Sequence, residues 1–474
     1  MDAVIDFLNE IFWSYILIYG LLAVGVFFTL RLGFVQFALF PEMFRTVLRS
    51  KEVDRAGITP FQALCTSLAS RVGTGNLAGV AVALYLGGPG AIFWMWMVAL
   101  VGMATAYAES TLAQLYKTRN QAGEYRGGPA FYIARGLKAP WAGGIFSVSL
   151  ILAFGLVFNA VQANSIADAM EGAFGFSKLW VGVGLAVLTA LVIFGGIRKV
   201  AQVAQVIVPF MAVAYLLVAI YVLITNITEV PTVFGQIFRG AFGLDAATGG
   251  LAGALLNGVK RGLFSNEAGM GSAPNIAAVA TPDPHHPSSQ GLVQSLGVFI
   301  DTILICTATA IIILLSGALV PGSELTGTPL TQAAMTEHIG SLGKHFIAVA
   351  IFFFAFTSII GNYSYAENAM VFLRCGGRTG LTILRLGVLA MVVWGAYESV
   401  LTVFNAADAS MGLMATINLI AICLLSSTVV KLTRDYRRQR KASGNPVFDV
   451  SEYPELAGKV DASIWSRKVA RDKQ

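Results

Sequence analysis

The chain has 474 residues, of which 56% are hydrophobic and 12% charged, with a mean hydropathy of +0.71 and a net charge of +6. A soluble globular protein carries about 25% charged residues. Half that share, dispersed between apolar runs long enough to cross a bilayer, excludes an ordinary water-soluble fold and points to an all-α polytopic membrane protein.

The N-terminus carries Asp2, Asp6 and Glu10 where a signal peptide would carry Lys or Arg, so the first apolar run reads as a retained helix. Apolar runs then place about eleven spans: 11–30, 60–86, 91–116, 142–169, 179–196, 200–225, 248–281, 289–317, 342–373, 379–397 and 400–430. One crossing needs roughly 20 residues, and no polar stretch between spans is large enough to fold alone. Basic residues alternate between the loops. Arg31, Arg45, Arg49, Lys51 and Arg55 follow the first span, and Lys117, Arg119, Arg126, Arg135 and Lys138 the third. Arg198 and Lys199 follow the fifth, Arg374 and Arg378 the ninth, and the tail KLTRDYRRQRK the last. The intervening loops hold little beyond Lys178, Arg239 and Lys344. By the positive-inside rule the N-terminus lies outside and the C-terminus inside a cytoplasmic (inner) membrane, as an odd span count requires. The basic tail favours contact with anionic lipid over nucleic acid.

Two spans contain helix breakers. The second holds SRVGTGN at its middle, and the seventh holds NGVKRGLFSNEAGMGSAPN, with Gly258, Gly262, Gly269, Gly271 and Pro274. Each Gly costs about 1 kcal/mol and Pro about 3 kcal/mol in a helix interior. Irregular backbone at membrane depth survives only where protein buries it or a cavity lies beside it. The two spans are an odd number apart and so run in opposite directions, the pattern of an inverted-repeat secondary transporter. The expected organisation is an extra helix and loop at 1–59, one five-helix repeat at 60–226, a second at 227–430, and a basic cytoplasmic tail at 431–474.

VGTGNLAGVA, GGPGAIFWMWM, YRGGPAFYIARGL, VQANSIA and LFSNEAGMGSAPN, spread over most of residues 10–430, resemble the alanine/glycine:cation (sodium:alanine) symporter family. The resemblance implies a leucine-transporter-like fold of two inverted five-helix repeats plus one extra helix, and sodium-coupled uptake of a small neutral amino acid, with Na⁺ as coupling ion.

At the first break, Gly75 and Gly79 have GxxxG spacing, which also suits close helix packing. A dinucleotide fingerprint is excluded by spacing and by the lack of a strand. The functional reading is an unwound segment, Gly73, Thr74, Gly75 and Asn76, whose N–H groups hold the substrate carboxylate at a half-helix N-terminus. Arg71, costly in a bilayer, must face a cavity or a partner. It either meets the substrate or forms a structural pair with Glu267, Glu109 or Asp301, and the structural pair is preferred. At the second break Ser265 and Asn266 offer polar groups to the substrate, and Glu267 can hold Lys260 or Arg261; a plain polar cluster at a helix end is the alternative.

In the ninth span, Thr357 and Ser358 offer hydroxyls next to the carbonyls of Ala69 and Val72, resembling the sodium site of the wider fold; hydroxyls bonding back to the preceding turn are the competing reading. Phe158 and Gln162 share a helix face and, by resemblance, line the substrate pocket; bundle core and interhelical bonding are their plainer roles. Asn362 departs from the Trp that the resemblance leads one to expect, which argues for a roomier and more polar pocket than strict alanine/glycine selectivity needs. Asp301 is a coupling carboxylate or the partner of Arg71. Proton-coupled symport through Asp301 or Glu267 is the runner-up within transport, and a channel or receptor is more remote. Cys65, Cys306, Cys375 and Cys423 read as small buried hydrophobes. His285, His286, His338 and His345 lie in or near loops, and no clustered constellation suggests an enzyme. No Walker A sequence supports ATP coupling.

Overall fold

The computed structural model describes residues 7, 9–49, 56–243, 250–320 and 322–467. Asp2, Asp6, Lys51, Arg55 and the first two residues of the predicted seventh span lie outside the described residues. The chain is helical almost throughout; a two-residue antiparallel ladder, Thr118–Arg119 with Tyr125–Arg126, is a small addition to the expected all-α class. Among the described residues eight helices are long and apolar enough to cross a membrane. They include α1 (Glu10–Arg31), and the second predicted span follows it as two shorter pieces, α2 (Pro60–Arg71) and α3 (Gly75–Gly87). Next come α4 (Gly90–Leu115), α5 (Pro140–Phe174), the 16-residue α6 (Lys178–Ile193) and α7 (Gly196–Thr225). The seventh predicted span is likewise divided, into α8 (Gly250–Asn266) and α9 (Pro274–Val279). α10 (Pro287–Ser316), α11 (Leu342–Phe372), α12 (Arg378–Tyr397), α13 (Val400–Leu424) and α14 (Ser426–Ser443) follow, and shorter helices at Val35–Ala38, Phe40–Leu48, Pro129–Gly136, Val230–Ala241 and Gly327–Ile339 lie in the connections.

Helical periodicity decides which faces meet lipid. On α7, Val206, Phe210, Val213, Leu217 and Ile224 are exposed, while Val208, Met211, Tyr215, Ala219 and Val222 are buried. One apolar stripe packs inward and a second, equally apolar, faces outward, as expected where the surrounding medium is hydrocarbon.

Local sequence sets the first interruption. Thr59 caps α2: its hydroxyl accepts from Gln62 N–H at 2.9 Å, and Gln62 Oε1 accepts from Thr59 N–H at 3.0 Å. Such a cap is worth about 1 kcal/mol. Val72 leaves the helix at φ −77°, ψ 88°. Gly73 N–H then donates to Asn76 Oδ1 at 2.9 Å, so a side chain satisfies the freed donor. In the second interruption Glu267, Gly269 and Gly271 take φ of +56°, +86° and +82°, a backbone glycine adopts readily and glutamate does not. Pro274 opens α9, where a missing N–H is harmless.

The two divided spans run antiparallel. At one end Ile58, before α2, pairs with Ala280, after α9: Thr281 N–H donates to Ile58 C=O at 2.9 Å. At the other end Gly87 of α3 packs on Gly253 and Asn257 of α8, where a Cβ would lie 2.9 Å from Gly253 C=O. The 444–467 segment also packs on the bundle: Trp465 is fully buried against His285, and Phe448 N–H donates to His285 C=O at 2.9 Å. Cys65 and Cys306 are buried as expected; Cys375 is exposed and Cys423 half-exposed, because they fall beyond or at the rim of the packed faces.

Candidate functional site

The interruptions bring α2, α3 and α8 together at one buried centre, walled by α5, α10 and α11. Asp301 of α10 joins the two breaks. Asn76 Nδ2 donates to Asp301 Oδ1 at 2.7 Å, and Ser265 Oγ to Asp301 Oδ2 at 2.8 Å; Thr302 Oγ1 adds a bond to Oδ2 at 2.7 Å. Both carboxylate oxygens are thus engaged by side chains of the two breaks and of α10 itself. Gln162 Oε1 accepts from Thr74 N–H at 3.0 Å, which ties α5 to the first break. Thr74 Oγ1 and Asn266 Nδ2 are buried without a hydrogen-bond partner among the described residues.

An aromatic column closes one side. Phe158 stacks on Phe264 with ring centroids 4.8 Å apart, Phe154 on Phe158 at 4.4 Å, and Phe264 on Phe404 at 5.4 Å. Asp408 of α13 takes Lys260 Nζ at 2.7 Å and Arg261 Nη2 at 2.6 Å beside that column. On the opposite wall Asn362 lies between Ser70, whose Oγ donates to Asn362 Oδ1 at 2.5 Å, and Asn159, whose Oδ1 accepts from Asn362 Nδ2 at 3.1 Å. Ala69, Val72, Thr357 and Ser358 are all buried. Ser358 meets the first break directly, since a Cβ on Gly73 would overlap its hydroxyl. Thr357 and Ser358 donate to Phe354 C=O at 2.9 and 3.1 Å. The competing back-bonded geometry is therefore present; it leaves the hydroxyl lone pairs free to face a cation.

Three expectations about charge are corrected. Glu267 does not hold Lys260 or Arg261. Its left-handed backbone directs it to Ser70 Oγ at 2.8 Å and Ser272 Oγ at 2.5 Å, while the two cations, more than a turn earlier on α8, reach Asp408. Arg71 makes no direct ion pair with Glu267, Glu109 or Asp301, although its charge acts on all three: among the described residues no carboxylate lies within 4.0 Å of it, and Nη1 donates to Gln294 C=O at 3.1 Å. Asp301 is saturated by Asn76, Ser265 and Thr302, which removes it as the ion-pair partner. Two carboxylates take places that the sequence reading did not assign to them: Asp408 holds Lys260 and Arg261, and Glu109 meets the second break. Glu109 of α4 accepts from Gly269 N–H at 3.2 Å and Gly271 N–H at 3.1 Å, so it clamps the second break. Asn418 Nδ2 donates both to Glu109 at 2.8 Å and to Gly269 C=O at 2.8 Å, completing the clamp. The signal for Glu109 was a lone acid in an apolar span; the signal for Asp408 was the same.

A buried polar centre where two antiparallel helices break is the arrangement in which secondary transporters place their sites. The sodium:alanine symporter family model matches residues 1–450. The chain is 50% identical to the amino-acid carrier protein AlsT of Bacillus subtilis over 98% of this chain and 97% of that one. It is 48% identical to the probable sodium/glutamine symporter GlnT of B. subtilis (94% and 93% covered) and 42% identical to the sodium/alanine symporter AgcS of Methanococcus maripaludis (93% and 98%). In fold it is similar to a manganese transporter of Eremococcus coleocola, with a TM-score of 0.50 at 15% identity over 81% of this chain and 80% of that one. The chain belongs to the sodium:alanine symporter family. It is a sodium-coupled amino-acid symporter with Na⁺ as the coupling ion.

Proposed function

We propose that the protein imports a small neutral amino acid, alanine or glycine first, by alternating access across the cytoplasmic membrane, with its N-terminus outside and C-terminus inside. The observation that carries the reading is the meeting of two broken helices at a buried centre where Thr74 Oγ1 and Asn266 Nδ2 have no hydrogen-bond partner among the described residues. The substrate carboxylate takes the Thr74 hydroxyl and the Gly75 N–H at the positive end of α3, and gains the N–H groups of Gly73 and Thr74 as Asn76 and Gln162, which hold them in this structure, give way. Its ammonium faces the carbonyl ends of the second break near Ser265 and Asn266. Phe158, Gln162 and Asn362 bound the side-chain space. The sodium ion takes the carbonyls of Ala69 and Val72 and the hydroxyls of Thr357 and Ser358. Asp301, bonded to Asn76 of the first break and Ser265 of the second, ties the two breaks together beside the site.

The two five-helix units, 60–226 and 227–430, rock about this centre. Opening toward the outside parts the Phe158–Phe264 stack, and opening toward the inside parts the Ile58–Ala280 pairing. A second substrate reading rests on Asn362, whose amide lines the wall with Ser70 and Asn159 and favours a side chain able to hydrogen-bond, such as that of glutamine. Competition of labelled alanine uptake by unlabelled glycine, serine and glutamine tests the choice. Inhibition by glycine with none by glutamine supports the small pocket; glutamine competing as well as alanine overturns it.

A further inference from the structure

Between α1 and α2 the chain forms a nine-residue helix, Phe40–Leu48, that buries Glu42, Met43 and Thr46. Phe44 and Leu48 on its other face are 42% and 83% exposed, and they continue a line of exposed apolar residues through Leu30, Phe34 and Phe37 from the lipid-facing side of α1. Such a helix lies in the membrane interface with its apolar face toward the acyl chains. Directly beside it, against α14, is a cavity of about 420 Å³ lined by Arg45, Arg49, Arg437, Arg440 and Lys441, with Glu42 the one acid. Glu42 is already engaged, by Arg440 at 2.7 Å and Arg45 at 3.7 Å. Among the described residues no carboxylate lies within 4.0 Å of Arg49, Arg437 or Lys441, and Arg437 Nε is buried without a partner.

We infer that this cavity binds the headgroup phosphate of an anionic phospholipid, whose acyl chains lie along Phe37, Phe44 and Leu48. Guanidinium forks match phosphate oxygens in pairs. The unneutralised cations face the bilayer surface on the side of the C-terminal segment, cytoplasmic in the orientation proposed above, where anionic lipid attracts basic clusters. Charge complementarity and continuity with the lipid-facing surface of α1 select a lipid over a soluble anion.

Native mass spectrometry of the full chain, purified in detergent and titrated with phosphatidylglycerol or phosphatidylcholine, tests the site without reference to orientation or transport. We expect a one-lipid adduct with phosphatidylglycerol at concentrations where phosphatidylcholine gives none. The triple variant Arg45→Gln/Arg49→Gln/Lys441→Gln should weaken it, by roughly fivefold per cation removed. The charge-preserving variant Arg45→Lys/Arg49→Lys/Lys441→Arg keeps the charge but loses paired guanidinium bonds, so it should bind more weakly than the parent and more tightly than the triple Gln variant, and it guards against misfolding. Arg374→Gln/Arg378→Gln, on another loop, should leave it unchanged. Equal adducts in the triple variant and the parent would overturn the proposal. So would displacement by glycerol 3-phosphate at the lipid's own concentration, which would make the ligand a soluble phosphate.

Discussion

Substituting Gly73 by alanine probes the first break most sharply. A Cβ there would lie 2.7 Å from Gln162 Oε1 and 3.2 Å from Ser358 Cβ, and closer still to Ser358 Oγ. Two things must give. The Gln162 amide loses its bond from Thr74 N–H, now 3.0 Å long, a loss of about 0.5–1.5 kcal/mol. The Ser358 hydroxyl must swing away, and overpacking of a dense interior costs about 1–3 kcal/mol. A combined penalty near 2–4 kcal/mol corresponds to roughly a 30- to 1,000-fold loss in affinity if it falls on the bound state. The assay is alanine uptake into proteoliposomes as a function of external Na⁺, with detergent melting temperature as a check on folding. Gly73→Ala should raise both the half-saturating Na⁺ concentration and the alanine KM. Adding Ser358→Ala removes the worst overlap, so the double variant should recover melting temperature while Na⁺ dependence stays impaired. Wild-type Na⁺ and alanine dependence in Gly73→Ala would refute the close packing of break, Gln162 and Ser358 on which the site rests.

Other substitutions separate the remaining parts. Each Glu109 oxygen accepts from one backbone N–H, and Glu109→Gln turns one of these oxygens into an NH₂; leaving one buried donor unsatisfied costs about 1–3 kcal/mol. The melting temperature should fall and uptake drop at least about tenfold, whereas a wild-type melting curve would remove the clamp. Asp408→Ala strands Lys260 and Arg261, of which Arg261 is 5% exposed, and breaking a buried pair costs about 3–5 kcal/mol. Purified yield and melting temperature should both fall, and more than in Arg261→Lys, which keeps a charge in place. Asp301→Asn should abolish Na⁺-driven accumulation; accumulation that survived with the parent's Na⁺ dependence would remove Asp301 from the coupling.

The parts legible in the sequence are those written locally. Glycine and proline runs announced both interruptions, and hydropathy announced the eight helices long and apolar enough to cross a membrane. The spacing of Phe158 and Gln162 put them on one face of α5, where they do meet the second and first breaks respectively. Long-range charge pairing was not legible. Lys260 and Arg261 lie 147 or more residues from Asp408, and Glu109 lies 160 from Gly269; nothing local to any of them names the partner. Glu267 misled because adjacency suggested an ion pair, while a left-handed backbone at that residue turned its carboxylate the other way. The docking of the tail was legible in hindsight: Phe448, Ile464 and Trp465 are apolar residues in an otherwise polar stretch, and all three are fully buried.

The most direct test of binding at the two breaks is labelled alanine uptake into vesicles under an imposed inward Na⁺ gradient, with the parent and Thr74→Val compared side by side. The parent should accumulate alanine transiently above equilibrium, lose that accumulation when K⁺ replaces Na⁺, and Thr74→Val should insert normally but show a large loss of alanine affinity. Equal accumulation with K⁺ would contradict sodium coupling in this chain, and unchanged alanine affinity in Thr74→Val would contradict the placement of the substrate at the first break.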